Sequence, residues 1–147
     1  MNRAMAGGCM EFADILHALS GIVVVGFGLF LIVLAALIIT MPSRAEEFLR
    51  GFASSAVTHY TEQGLRLVVG AAVVSFAGSM RHPELFNVFG WLIIVSTAGL
   101  LLIPWQWHNR FSTLVMPPVF RHMRLFALGA CALGAFILSC VSQVLIS

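Results

Sequence analysis

Between residues 15 and 41 the chain carries no aspartate, glutamate, lysine or arginine. Wound as an α-helix, a run of that length reaches about 40 Å, more than the ~30 Å hydrocarbon core of a bilayer. A helix that is apolar all round has no face to offer water, so it lies in a large core or in lipid. Three further apolar runs follow, at 65–80, 85–103 and 125–146. The second is short, but it extends backwards through Tyr60-Thr61-Glu62-Gln63-Gly64, where Glu62 and Arg66 stand four apart and can pair on one helix face. The runs are continuous rather than alternating, which excludes a transmembrane β-barrel. The pattern predicts an all-α membrane protein of four transmembrane helices, forming a single domain over 1–147.

Composition agrees. Sixty per cent of the residues are hydrophobic and 10% are charged, against about 25% charged in soluble domains. Too little charge remains to cover a globular surface, and the length leaves no room for a separate soluble domain. The net charge of +2 is far below a nucleic-acid footprint, so the bilayer is the expected partner and nucleic acid is not. At the N-terminus the apolar run begins only after Asp14 and His17 and is too long for a secretory signal. The start is therefore expected to be uncleaved, with the first helix acting as its own insertion signal.

The connections differ in kind. Pro42 stops the first run, and Ser43-x-x-Glu46 has the form of a capping box opening a new helix. Phe48, Leu49 and Phe52 then share a face, which reads as a short amphipathic helix at the membrane interface. After the third run, Trp105, Trp107 and Phe111 stand beside His108 and Arg110, followed by Pro117-Pro118. Tryptophans there are what an interfacial aromatic belt contains. Trp105, Trp107, Phe48 and Phe52 are thus expected as interfacial anchors. Residues 79–84, around Pro83, read as a tight turn.

A two-part repeat runs through the chain, over about 15–80 and 85–146. A shift of 62 places Gly28 on Gly90, Ile32 on Ile94, Val33 on Val95, Ala36 on Ala98 and Pro42 on Pro104. A shift of 58 then places Arg66-Leu67 on Arg124-Leu125 and Ala72 on Ala130. Each unit is an apolar helix, a proline stop, an amphipathic interfacial segment, an arginine and a second apolar helix. Because each unit crosses twice, the copies are expected to be parallel, related by an axis along the membrane normal. Small residues recur every fourth position on the even helices, at Ala71, Ser75 and Ser79 and at Ala127, Cys131, Ala135 and Ser139. Such stripes permit close helix approach and predict that spans two and four pack near the pseudo-axis.

Pro104 followed by Trp107, the proline at 117, and Arg124 opening a small-residue-rich helix carry a resemblance. In the first unit its counterparts are Pro42 and Leu65-Arg66 with Gly70. On these motifs each half resembles the short two-helix YjeT-like family of bacterial inner-membrane proteins. The resemblance implies an inner-membrane location and no particular chemistry.

Candidate sites are few. Arg66 and Arg124 occupy equivalent repeat positions, with Arg121 and His122 nearby. They read either as a basic pocket for a lipid phosphate or anionic substrate or, preferably, as arginines snorkelling to fix helix depth. Asp14 and His17 form a polar pair near the head of the first span, although Asp14 also suits a helix cap. A bis-histidine haem needs histidines facing each other inside the bundle. His59, His108 and His122 lie at one end and His17 and His82 at the other, near helix starts, so they read as water-exposed interfacial residues. Cys131 and Cys140 are nine apart, on opposite helix faces. Cys131 reads as an inert buried thiol, and a Cys9–Cys140 disulfide would suit an oxidising periplasm. No metal spacing or nucleophile–base arrangement is evident, so no cofactor, metal or catalytic residue is expected.

The reading these features favour is a non-enzymatic accessory or scaffold subunit that interacts with membrane partners, lipid or itself. A transporter or channel built by a homo-oligomer ranks second, and a membrane enzyme or redox carrier third. Arg44, Arg50, Arg66, Arg110, Arg121 and Arg124 fall on the side of the long connections, against Arg3 and Arg81 opposite. The positive-inside rule therefore puts the long connections in the cytoplasm and both termini in the periplasm of a bacterial inner membrane. A C-terminal alkaline-phosphatase fusion is expected to be active; a fusion active only with a cytoplasmic reporter would reverse the orientation.

Overall fold

A computed structural model of the chain describes residues 2–52, 55–102 and 122–146, with side chains over 11–49, 51, 55–102 and 122–141. Among these residues all regular structure is helical. The elements are α1 (Asn2–Thr40), α2 (Pro42–Phe52), α3 (Ala56–Phe76), a 3₁₀ turn (Ala77–Ser79), α4 (Pro83–Leu102) and α5 (Met123–Ile146). Three stretches are long and apolar enough to cross a membrane: Glu11–Thr40, Pro83–Leu102 and Met123–Val141. The α3 helix matches α4 in length but is not among them, because its first half carries His59, Glu62, Gln63 and Arg66. The second aromatic connection, with Trp105, Trp107, His108, Arg110, Phe111 and Arg121, lies outside the described residues.

Local chemistry sets the breaks. Only Met41 separates α1 from α2, and Pro42 opens α2, where a missing N–H is harmless and a fixed φ is helical. The Met41 carbonyl accepts from Ala45 N at 3.0 Å. Ser43 is thus the second helical residue and not the cap, which corrects the Ser43–Glu46 capping box. A capping box does occur at α3. There Ser55 Oγ accepts from Thr58 N at 3.2 Å, and Ser55 N donates to Thr58 Oγ1 at 3.1 Å. Asp14 lies well inside α1, which begins at Asn2, so it caps nothing. The expected amphipathic helix after the first span is present as α2. It turns Ala45 into the core and packs Leu49 against it, while Phe48 stays exposed.

The long helices pack in the order α5, α1, α3, α4, each antiparallel to its neighbour. Spans two and four (α3 and α5) do not pack along one another, which overturns their expected place at a pseudo-axis. The small-residue stripes explain why. Ala71 and Ser75 on α3 and Cys131, Ala135 and Ser139 on α5 face outward, while Ser79 meets His17 of α1 and Ala127 is buried in the cluster with α1. The close approaches are made by glycines instead. A Cβ on Gly134 would stand 2.7 Å from Gly28 O, and one on Gly90 would stand 2.7 Å from Val74 Cγ2 and 3.0 Å from Gly70 O. Backbone thus meets backbone at one crossing in the α1–α5 pair and at another in the α3–α4 pair.

Around these crossings lie two apolar clusters. At the end holding the 3₁₀ turn, Val24, Val69, Val73, Phe76, Phe86, Ile137 and Cys140 join all four long helices. At the other end, Leu34, Ala35, Ile38, Ala45, Met123, Ala127 and Ala130 join α1, α2 and α5. Cys140 is therefore the buried free thiol and Cys131 the exposed one, the reverse of the expectation for Cys131. Gly28 and Gly90 differ by 62, as the repeat requires, but Gly70 and Gly134 differ by 64. Burial follows the same offset of 64, with His59, Gln63, Val73, Phe76 and Ala77 matching Met123, Ala127, Ile137, Cys140 and Val141. A shift of 58 instead sets the buried Val73 and Ala77 on the exposed Cys131 and Ala135.

The crossings predict a clear ranking. Gly90→Ala and Gly134→Ala are expected to lose about 1–3 kcal/mol by overpacking. Gly99 and Gly129, with nothing within 4 Å of a built Cβ, are expected to tolerate alanine or gain up to about 1 kcal/mol. Thermal denaturation in mild detergent reads the order, and equal effects at all four sites would refute it.

Candidate functional site

Within the first half of α3, His59 and Gln63 stand four residues apart and therefore on one helix face. That face continues through Gly70, Val73 and Ala77, all buried. His59 is 2% exposed and Gln63 and Thr97 are 0% exposed; they are the buried polar residues among those described. Gln63 and Thr97 each lie seven residues from the Gly70–Gly90 crossing, about 10 Å along antiparallel helices, so they share a level. This burial corrects the expectation for His59: it is the fourth residue of α3 and is packed away from water, with its ring edge-on to Tyr60 at 5.2 Å between centroids.

The three residues differ in how well they are satisfied. Thr97 Oγ1 donates to the Ile93 carbonyl at 2.7 Å within its own helix. Gln63 has no hydrogen-bond partner for either amide atom among the described residues. A buried amide without partners destabilises a fold by about 1–3 kcal/mol, so it calls for an explanation beyond packing. The comparison within the chain sharpens the point. At the matching level of the α1–α5 pair the buried residues are Ala35 and Ala127, with Met123 one turn further along α5 in the place of His59. One half of the molecule closes this end with apolar side chains, and the other holds a hydroxyl, an amide and an imidazole. That set can donate and accept hydrogen bonds. It contains no nucleophile–base pair.

Beside it, on the exposed side of α3, Arg66 Nε and Nη2 donate to Glu62 Oε1 at 3.0 and 2.6 Å, the pairing expected from their spacing. Arg66 is therefore neutralised by its own helix. Arg124 is exposed on α5, a helix that does not pack along α3, and in the offset of 64 it matches Tyr60 and not Arg66. The two arginines are not brought together. His122 precedes α5 and is exposed, while Arg121 lies outside the described residues. At the opposite end, His17 Nε2 is 2.9 Å from Ser79 Oγ, and its ring lies 4.9 Å from that of Phe76. The contact of His17 is with the 3₁₀ turn and α3, while Asp14 is exposed on α1. Among the described residues no three His, Cys, Asp or Glu gather as metal ligands.

Sequence reasoning placed Arg66 and Glu62 correctly but passed over Gln63 and Thr97. The signal was available for Gln63, since the 59, 63, 70, 73, 77 spacing marks one face of a helix. No protein-family model, no curated protein and no solved structure matches this chain.

Gln63→Met keeps the side-chain volume and removes the amide. It is expected to raise the thermal stability of the detergent-solubilised protein by about 1–3 kcal/mol. A loss of stability would show that the amide is hydrogen-bonded in the folded protein.

Proposed function

We propose that the chain is a multi-pass protein of the bacterial inner membrane, acting as a non-enzymatic accessory or scaffold subunit. The observation that carries this reading is its outward apolar surface. Ile22, Val33 and Ile39 on α1, Val88, Leu92 and Val95 on α4, and Leu125 and Leu128 on α5 are all exposed. A surface of this kind is covered by acyl chains or by the helices of partner subunits. In this reading α3 is the fourth span. Its 21 residues make about 31 Å of helix, enough for the hydrocarbon core, and the Glu62–Arg66 pair lowers the penalty of its charged end. The two glycine crossings and the burial offset support a parallel helix-pair repeat, and the YjeT-like character of each half fits the same plan.

A transporter or channel formed by a homo-oligomer is the second reading. It is favoured by one observation, the buried polar side chains of His59, Gln63 and Thr97 where the other half is apolar. Ionisable and polar residues inside a span commonly mark a path.

Native mass spectrometry of the tagged chain, gently extracted from its own membranes, separates the two. Other polypeptides in fixed ratio are expected; release alone or as a homo-oligomer would overturn the accessory reading in favour of the transporter.

A further inference from the structure

At the end of the bundle opposite α2, the turn into α4 forms an open cavity of ≈ 540 Å³ lined by Arg81, His82, Pro83, Glu84, Leu85 and Phe136. Its floor is an aromatic stack: Phe136 on α5 lies 5.7 Å from Phe86 and 6.2 Å from His82, with the rings within 15° of parallel. Its rim carries one guanidinium and one carboxylate three residues apart, and among the described residues neither is held in an ion pair. The first turn of α4 adds its own N–H groups to the rim. From this cavity an apolar stripe descends α4 through Leu85, Val88, Leu92 and Val95, each more than half exposed. The stripe occupies one helix face and is about 15 Å long, half of the ~30 Å hydrocarbon core and so the depth of one leaflet. Along this stripe α4 has no extended packing against α5 among the described residues; the two helices meet through the Phe86–Phe136 stack.

We infer that this cavity and stripe form a binding site for one phospholipid whose headgroup carries a phosphate and a primary ammonium, of the phosphatidylethanolamine type. Arg81 and His82 donate to the phosphate, Glu84 accepts from the ammonium, and an acyl chain lies along Leu85, Val88, Leu92 and Val95. The charges select the headgroup. A site with one cation and one anion matches a zwitterion, whereas an anionic glycerol headgroup leaves Glu84 facing negative charge. A trimethylated ammonium has no N–H to give the carboxylate. The site is distinct from the arginines at the α2 end, and the inference rests on the chain being an integral membrane protein.

The test uses the full chain, delipidated in mild detergent and titrated in native mass spectrometry with ethanolamine, choline and glycerol phospholipids of identical acyl chains. The ethanolamine lipid is expected to bind about tenfold more tightly than either competitor, the equivalent of about 1.4 kcal/mol. Glu84→Gln is expected to abolish the preference over choline, and Arg81→Ala to weaken all three lipids about tenfold. Equal binding of the three lipids, or unchanged binding in both variants, overturns the inference. Carbonate extraction of the same membranes keeps the two readings apart. A chain that stays with the membrane but shows no headgroup preference defeats only the lipid site, and a chain released by carbonate defeats the membrane reading itself.

Discussion

Two backbone crossings hold the long helices together, Gly28 on Gly134 and Gly70 on Gly90. In lipid the hydrophobic effect gives one apolar helix no reason to prefer another over the surrounding acyl chains. Association then depends on how closely the helices approach and on how many dispersion contacts that approach permits. A glycine at the contact lets carbonyl and Cα surfaces touch directly. The side chains that flank each crossing, Ile32 and Leu138 in one pair and Val74 and Ile94 in the other, fit because no Cβ stands between the helices. The order α5, α1, α3, α4 follows from these two pairings, with α1 and α3 joined in the middle by their own contact through Gly21 and Phe76.

The two pairs share a plan but not a composition. The α1–α5 pair closes its α2 end with Ala35, Met123 and Ala127, and α2 itself seats Ala45 there. The α3–α4 pair puts Thr97 and Gln63 at one level, with the buried His59 one turn further along α3. Two helix pairs that cross alike on glycine, one apolar and one polar towards this end, leave a single chemically distinct place. The unsatisfied Gln63 amide lowers stability there, and positions that are unfavourable for stability are where function is commonly found.

Much of the architecture was legible before any tertiary contact was known. The helices, the break at Pro42, the amphipathic α2 and the Glu62–Arg66 pair depend on residues within one or two turns of each other, and local chemistry decides them. The inward faces were not legible in the same way. Stripes of small residues at Ala71 and Ser75 or at Cys131 and Ala135 look like packing surfaces, yet they face outward. The offset of 58, set by Arg66 and Arg124, put the second helices six residues out of step with the offset of 64 that burial follows. Arginines near a helix end follow the water boundary, so they record depth and not which residues touch.

The sequence by itself determined that this chain is helical, that it carries long apolar helices, and where α1 gives way to α2; its four expected spans become three long, apolar helices and a more polar α3 in the structure. Only the tertiary structure decided that glycines make the crossings, that His59 and Gln63 are buried, that Cys140 and not Cys131 is enclosed, and that Phe136 floors a cavity with Arg81 and Glu84 at its rim. The reason is physical. In a soluble protein the polar face of a helix marks its outside, but a helix built for lipid is apolar on both faces. Nothing in its own periodicity then distinguishes the side that meets a neighbour from the side that meets acyl chains, and that choice belongs to the assembled bundle.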